Sequence, residues 1–264
     1  MSKLDVLSRD GAADVLLRLC TGEAKFKELN EAVTNTRTLT KRLKELTAEG
    51  LIQKAGACYM ITSEGSDTAL KVAEFERKSG CKRVNQEELA RIRYGWMRIS
   101  LMRLTELFHK EFGDKLISVV LYGSAVKGFF QLGRSDIDLF YIVKDDSRNV
   151  WQIEEVVFKG FQSTWEYRAC DYWLKGQGFY GYPEVTAASL QKSNAKKFQP
   201  VYLDMLSHRA VLYDVEAFFQ NLMEKLREAL EALGTIRIER PNGEYFWFLK
   251  PDIAPGESIE ISLG

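Results

Sequence analysis

The chain has 264 residues, of which 45% are hydrophobic and 28% charged, which is the usage of a globular protein long enough for two domains. Lys plus Arg and Asp plus Glu both total 37, so no net charge draws the chain to nucleic acid or to a membrane. The N-terminal segment lacks an apolar run of signal-peptide or membrane-spanning length, which indicates a cytoplasmic protein.

The cysteines are widely spaced and form no C-x-x-C pair, and the chain has only two histidines to supplement them as zinc ligands. We therefore expect buried or free thiols. The four cysteines are Cys20, Cys58, Cys81 and Cys170.

The first third of the chain predicts three short helices and a hairpin. Apolar residues recur at helical spacing in "AADVLLRLC", "KFKELNEAV" and "TRTLTKRLKELTAEG". In the third helix, Leu39, Leu43 and Leu46 form one narrow apolar stripe that faces inward. The segment "LIQKAGACYMIT" then predicts two strands with a tight turn at residues 55–57, and "SEGSDTALKVAEFERK" predicts a fourth helix.

The phrase "LTKRLKELTAEGLIQK" resembles the recognition helix and first wing strand of bacterial and archaeal winged helix-turn-helix regulators. The resemblance implies that exposed cations bind DNA phosphates and that Thr or Arg side chains reach base edges. Residues 34–60 contain five basic and two acidic side chains, a modest excess, so a protein-binding or dimerisation module is the alternative. The predicted DNA-binding residues are Arg37, Thr38, Thr40, Lys41 and Lys44.

A break at "SGCKRVN" places the domain boundary near residue 80, which gives a winged-helix domain over 1–80 and a second domain over 81–264. The second domain is predicted to begin with one long helix over 85–113, which could equally be a rigid bridge between the domains. A core over 115–174 and a C-terminal extension over 184–264 follow.

The core predicts a strand in "KLISVVLYG", a short helix in "SAVKGFFQ" and a second strand in "SDIDLFYIV". Asp136 and Asp138, two residues apart on a strand, share a face and repel each other unless a cation lies between them. For charges about 4 Å apart at an effective dielectric near 20, that repulsion is about 4 kcal/mol. The pair therefore predicts a divalent metal such as Mg²⁺, whose preferred ligands are carboxylate oxygens.

The glycine-serine pair before the short helix predicts phosphate binding. Gly123 lets the backbone approach a phosphate without a side chain in the way, and Ser124 adds a hydroxyl donor at the start of a helix. Together with the two aspartates, this pattern suits a nucleoside triphosphate bound with Mg²⁺.

The pattern apolar-Gly-Ser followed by Asp-apolar-Asp-apolar resembles the nucleotidyltransferase superfamily of DNA polymerase beta type, particularly its minimal archaeal and bacterial members. The resemblance implies two Mg²⁺ ions held by the aspartates, and transfer of a nucleoside monophosphate from a triphosphate to a hydroxyl. Minimal members often carry an arginine after the serine, where this chain has Ala125. Lys127 and Arg134 are then the candidates to neutralise the triphosphate.

The family's third carboxylate lies on the next strand, as a shared metal ligand and base for the attacking hydroxyl. We expect that strand in "STWEYRACDYWLK", where Asp171 matches the family better than Glu166. The two residues have opposite parity, so in a regular strand they cannot both be ligands.

The last third predicts a glycine- and aromatic-rich loop in "KGQGFYGYPEV", then a helix, a strand, an amphipathic helix and a hairpin turning at residues 241–243. The fold class is therefore α+β: an N-terminal winged helix-turn-helix followed by a mixed-sheet nucleotidyltransferase domain with C-terminal helices and a hairpin. Segments of this region look similar to C-terminal regions of archaeal nucleotidyltransferase-domain proteins.

The predicted function is Mg²⁺-dependent nucleotidyl transfer to an acceptor that the sequence does not identify. Two alternatives stay open: a DNA-binding regulator whose core only senses nucleotide, and an antitoxin-like protein that modifies a toxin partner. The expected partners are a nucleoside triphosphate, DNA through the winged helix, a protein acceptor and a second copy of the chain.

Overall fold

A computed structural model describes residues 3–80, 83–146, 149–240, 245–254 and 256–264, and within the first range it describes no side chains over 76–80. The helices and strands to residue 112 are, in chain order, α1 (Lys3–Leu7), α2 (Ala12–Leu19), β1 (Ala24–Lys25), α3 (Phe26–Ala32), α4 (Thr36–Ala48), β2 (Ile52–Ala55), β3 (Cys58–Ile61), α5 (Ser63–Gly80), α6 (Gln86–Ala90) and α7 (Gly95–Phe112). The remainder are β4 (Leu116–Tyr122), α8 (Ser124–Lys127), β5 (Ile137–Val143), α9 (Val150–Gln162), α10 (Trp165–Gly176), β6 (Val185–Gln191), α11 (Lys192–Ala195), α12 (Val201–Met205), β7 (Ala210–Asp214), α13 (Phe218–Ala232), β8 (Ile236–Glu239) and β9 (Tyr245–Phe248).

These elements form two compact units, and each unit is built from three separate stretches of the chain. The first comprises Met1–Glu111, Gln131–Asp136 and Asn149–Val185, and the second comprises Phe112–Phe130, Ile137–Arg148 and Thr186–Gly264. The domain boundary near residue 80 stays a prediction. The architecture is mixed α and β, in agreement with the expected fold class at that level.

In the first unit, the early helices and the hairpin lie where the periodicity places them. The stripe of Leu39, Leu43 and Leu46 on α4 is buried, as its spacing predicts. The Asn35 side chain caps α4 by accepting the backbone N–H groups of residues 37 and 38 at 3.0 and 3.1 Å. Strands β2 and β3 pair antiparallel, and β1 adds a third strand on the other side of β3.

The single long helix predicted over 85–113 is wrong, because the chain breaks between α6 and α7. Arg98 lies in the first turn of α7 and donates to the carbonyl oxygen of Ile92, inside the break, at 2.6 Å. The same guanidinium forms a two-pronged ion pair with Glu74 at 2.7 and 2.8 Å. Backbone carbonyls that a continuous helix would satisfy internally are thus satisfied by Arg98 instead.

The strand predicted over "STWEYRACDYWLK" is also wrong, since these residues form α10. Its buried residues are spaced as on one helix face, and the Thr164 hydroxyl oxygen caps it by accepting the backbone N–H of Tyr167 at 3.2 Å. The indole of Trp165 donates to the Leu17 carbonyl at 3.0 Å, and that of Trp173 donates to Asp67 at 2.8 Å. Contacts with the N-terminal helices therefore stabilise a helix in a segment rich in strand-forming aromatics.

The second unit is built on a four-stranded sheet in the order β6-β5-β4-β7. Strand β4 pairs antiparallel with both β5 and β7, and its residues Leu116–Leu121 are buried, as expected for a central strand. Helix α13 packs its apolar face on this sheet, with Phe219, Met223 and Leu226 in the core. Strands β8 and β9 form a separate hairpin, and its predicted turn at 241–243 lies outside the described residues.

Strand β6 was not predicted. Its sequence, "VTAASLQ", is half-buried to exposed and lacks both a continuous apolar run and regular alternation, so it gives no clear strand signal. The position matters because β6 lies beside β5, the strand that carries Asp138.

Cys20, Cys58 and Cys170 are free thiols, as expected, and Cys81 lies outside the described residues. In the described part of the chain, no helix combines the length and apolar character needed to cross a bilayer.

Candidate active site

The glycine-serine turn follows directly from the central strand of the second unit. Strand β4 ends at Tyr122, and Gly123 then adopts φ 73° and ψ −151°, a conformation that essentially only glycine adopts. Helix α8 starts at Ser124 and ends after one turn, because Gly128 takes a left-handed conformation with φ 81°. The helix is thus half the length predicted for "SAVKGFFQ".

Gly123 lies directly against the Asp138 carboxylate. In the antiparallel pairing of β4 with β5, Tyr122 faces Asp138, so the residue that follows β4 passes beside that side chain. A Cβ at Gly123 would be 2.1 Å from Asp138 Oδ2, which no real pair of atoms tolerates. The glycine is therefore required both for its backbone angles and for its missing side chain.

Asp138 is half-buried within β5, and the hydroxyl of Thr186 on β6 donates to its Oδ1 at 3.1 Å. Asp136 is exposed and immediately precedes the strand, which begins at Ile137. The two carboxylates thus differ: one is held by a neighbouring strand, and the other is open to solvent.

Lys127, at the end of α8, contacts two residues that the sequence did not identify. Its ammonium group is 3.3 Å from Asp204 Oδ1 and 5.2 Å from the ring centre of Tyr245. The Tyr245 hydroxyl donates to the same Asp204 oxygen. The only sequence signal for Asp204 is a carboxylate on the short predicted helix in "VYLDM", and Tyr245 looks like any strand aromatic.

Electrostatics link these groups to the glycine-serine turn. Burial raises the pKa of the Tyr122 hydroxyl, and the negative charges of Asp138 and Asp204 raise it further. Burial lowers the pKa of Lys127, but hydrogen bonding with Tyr245 and the charge of Asp204 outweigh this, so the pKa is raised overall. Lys127 therefore stays charged beside the turn at neutral pH.

Like Asp136, the other predicted catalytic and nucleotide-binding residues belong to the first unit. Asp171 lies on α10, where its carboxylate accepts from Lys175 at 2.7 Å and from the backbone N–H of Tyr182 at 2.9 Å. Glu166 is buried on the same helix, 3.8 Å from Arg103 Nε. Arg134 is exposed in the loop before β5. The parity argument that separated Asp171 from Glu166 fails, because α10 is a helix.

Asp136 and Asp138 each offer the hard carboxylate oxygens that Mg²⁺ prefers, and Asp136 is exposed to solvent. Within the described ranges, however, no group of three or more His, Cys, Asp or Glu side chains is arranged to hold a metal ion. Mg²⁺ is commonly bound by one or two carboxylates and completes its coordination shell with water and substrate oxygens.

The predicted DNA-binding residues share the outward face of α4. Arg37, Thr40, Lys41 and Lys44 are exposed and Thr38 is half-buried. Beside them lies a groove of about 420 Å³, whose lining is mostly apolar; it is formed by Phe26, Thr40, Leu43, Lys44, Thr47, Ala48, Lys54 and Tyr59. The exposed side chains of α4 are therefore basic, whereas the adjoining groove is mostly apolar.

Comparison with known proteins adds three findings. Residues 101–178 match the family model of the nucleotidyltransferase domain. An uncharacterized HTH-type transcriptional regulator of Methanocaldococcus jannaschii is 36% identical over 80 residues, a match that covers 28% of this chain and 74% of that protein. A crystal structure of a toxin-antitoxin with AMP-PNP is similar over 49% of this chain and 88% of its own, with 14% sequence identity and a TM-score of 0.30.

Proposed function

We propose that this chain, which belongs to the family of the HTH-type transcriptional regulator of Methanocaldococcus jannaschii, is a Mg²⁺-dependent nucleotidyltransferase. The proposal proceeds from the nucleotidyltransferase domain at residues 101–178. The protein would transfer a nucleoside monophosphate from a triphosphate to a hydroxyl acceptor.

The observation that supports this most strongly is the apposition of Gly123 and Asp138. A positive-φ glycine whose Cβ would overlap a carboxylate oxygen brings bare backbone next to a metal-ligand candidate. A structural turn needs only the positive φ, as Gly128 shows with no atom within 4 Å of its Cβ position. The close approach at Gly123 is the additional feature that phosphate and metal binding explain.

In this proposal each residue has a defined task. The backbone at Gly123 and the Ser124 hydroxyl contact phosphate oxygens, and Lys127 offsets their charge. Asp136 and Asp138 hold Mg²⁺, which neutralises charge on the triphosphate when bound. Arg134 as a phosphate contact and Asp171 as a third ligand and base stay predictions.

The test is binding of ATP, GTP, CTP and UTP with and without Mg²⁺, followed by pyrophosphate release once cell extract supplies an acceptor. We expect Asp138→Asn to abolish pyrophosphate release, because a neutral amide is a poor ligand for a hard divalent cation. Asp252→Asn, at an exposed position, is the matched control and should behave as wild type. Wild-type protein that binds none of the four nucleotides would overturn the proposal.

A second function, DNA binding, is favoured by the exposed basic face of α4 and by the family of the regulator. We propose that this face contacts DNA, with Arg37, Lys41 and Lys44 on phosphates. A protein-binding role for the same face is the alternative.

We expect the triple alanine variant of Arg37, Lys41 and Lys44 to lose DNA affinity and to lower the salt slope, log K against log salt concentration, by about three. Fluorescence anisotropy on duplex DNA at several salt concentrations measures both. Lys71→Ala, an exposed lysine on α5, serves as control. A wild-type protein without DNA affinity at low salt would assign this face to another partner.

A further inference from the structure

The C-terminal hairpin has two different faces. Cross-strand pairing sets Arg237 opposite Trp247 and Glu239 opposite Tyr245 on one face, called here the inner face of the hairpin. The opposite face carries Ile236, Ile238, Phe246 and Phe248, all exposed. Tyr245 belongs to the inner face and bonds Asp204, so the inner face is the one that adjoins Lys127.

Arg237 lies at the centre of the inner face. Its guanidinium carbon is 4.2 Å from the ring centre of Tyr245 and 5.8 Å from that of Trp247, which are cation–π contacts. Its terminal nitrogens bond Glu239 at 2.6 Å and the Ser207 hydroxyl at 3.4 Å. These contacts fix the guanidinium plane, so the direction of its remaining donor is also fixed.

Two N–H groups on this face are buried without a partner. Among the described residues, neither Arg237 Nε nor Trp247 Nε1 has a hydrogen-bond acceptor. Leaving a buried donor unsatisfied is costly, and more so for a charged group. Arg237 and Trp247 face each other across the hairpin, and each has one of these unsatisfied N–H donors. The pair of donors therefore indicates a ligand whose oxygen atoms accept hydrogen bonds from them.

The chemistry of the two unused donors, not a net positive charge, favours phosphate oxygens as those acceptors. Lys127 and Arg237 are the cations of the cluster, and each is paired with one carboxylate, Asp204 and Glu239. The pairs leave the cluster neutral, and the unused donors belong to the kinds of group, a guanidinium and an indole, that bind anionic oxygen well.

We infer that the inner face of the hairpin binds the β- and γ-phosphate oxygens of the nucleoside triphosphate, through Arg237 Nε and Trp247 Nε1, next to Lys127. This inference rests on the proposed function and adds to it the groups that distinguish a triphosphate from a monophosphate. The hairpin then supplies two N–H donors next to Lys127 at the phosphate end of the site.

The test compares the dissociation constants of ATP, ADP and AMP with Mg²⁺, by titration calorimetry on the full chain. Trp247→Phe removes one N–H and keeps the ring, and Arg237→Lys keeps the charge and removes the Nε donor. We expect each to weaken ATP binding about tenfold, the value of one hydrogen bond to a charged oxygen, and to leave AMP binding unchanged. Trp151→Phe on α9 and Arg227→Lys on α13, both at exposed positions, are the matched controls.

Equal ATP affinity in wild type and in both variants would overturn the inference while leaving the proposed function intact. An equal loss for all three nucleotides would also overturn it, since the contacts would then lie at the base, the ribose or the α-phosphate. Wild-type protein that binds no nucleotide overturns both. Because the two substitutions are independent, Arg237→Lys decides the matter if Trp247→Phe does not fold.

Discussion

At the scale of single residues, Gly123 is the most constrained position of the site. Its backbone angles exclude other residues, and its Cβ position is occupied by the Asp138 carboxylate. Gly128 provides a natural comparison, since it also has a positive φ but has no neighbour within 4 Å of its Cβ position. Comparing the same substitution at the two glycines therefore separates the effect of backbone strain from the effect of displacing the Asp138 carboxylate.

We expect Gly123→Ala to lower nucleotide turnover by roughly a hundredfold, because a displacement of about 1 Å in a catalytic group has an effect of that order. Gly128→Ala should lose about 1–2 kcal/mol of stability from its left-handed backbone and retain near-normal turnover. Turnover assays and urea unfolding of both variants measure the two effects. Equal loss of turnover in the two variants would argue against a catalytic Asp138.

The sequence predicts some residues of the site and not others for a physical reason. Gly123, Ser124, Asp136 and Asp138 can be proposed from the sequence because they belong to one local strand–turn–strand segment whose geometry is fixed by short-range rules. Lys127 meets Asp204 across 77 residues, and Asp204 meets Tyr245 across 41. Contacts of that separation depend on the packing of the whole unit, so no local pattern reveals them.

At the scale of elements, the wrong assignments share a cause. The segment that forms α10 is rich in Trp and Tyr, which favour strands, but indole hydrogen bonds to Leu17 and Asp67 and a buried helical face decide its structure. The break between α6 and α7 depends in the same way on the Arg98–Glu74 ion pair. In both, tertiary contacts outweigh local propensity.

Asp214 connects two elements of the second unit, and its replacement tests their coupling. Its carboxylate accepts from the Ser118 hydroxyl on β4 at 2.6 Å and from the backbone N–H groups of Phe219 and Gln220 at the start of α13. We expect Asp214→Ala to lower the free energy of unfolding by about 3 kcal/mol, because buried donors lose a charged acceptor. Urea unfolding measures this, with the exposed Asp252→Ala as control, and a loss no greater than that of the control would contradict it.

The same residue makes stability depend on pH. Burial raises the Asp214 pKa above its ordinary 3.8, although its hydrogen bonds from Ser118, Phe219 and Gln220 act in the opposite direction. The folded state then binds the Asp214 proton more tightly than the unfolded chain does. The stabilisation of the folded state by this proton is complete below the ordinary pKa and is lost as the pH rises through the pKa of the folded state. Relative to Asp214→Asn, wild-type stability should therefore fall from acidic to neutral pH. A constant difference would contradict the shift.

At the scale of the whole molecule, the sequence gives the class of architecture and the order of most elements. It does not give the division into compact units, because the chain contributes three separate stretches to each. Hydrophobic periodicity reports only on residues that are close in sequence. Residues 149–185 belong to the first unit because of their tertiary packing, which periodicity does not describe. The overall charge balance of zero agrees with a protein whose binding functions lie in local patches.

The central claim is that the glycine-serine turn and the two aspartates transfer a nucleotide. Its most direct test follows label from the α-phosphate of each of the four nucleoside triphosphates into acceptors of a cell extract, in the presence of Mg²⁺. Wild type and the Asp136→Asn/Asp138→Asn variant are compared. The account predicts a labelled product with wild type alone, and that product identifies the acceptor. Label incorporated equally by both proteins, or by neither, would contradict the account.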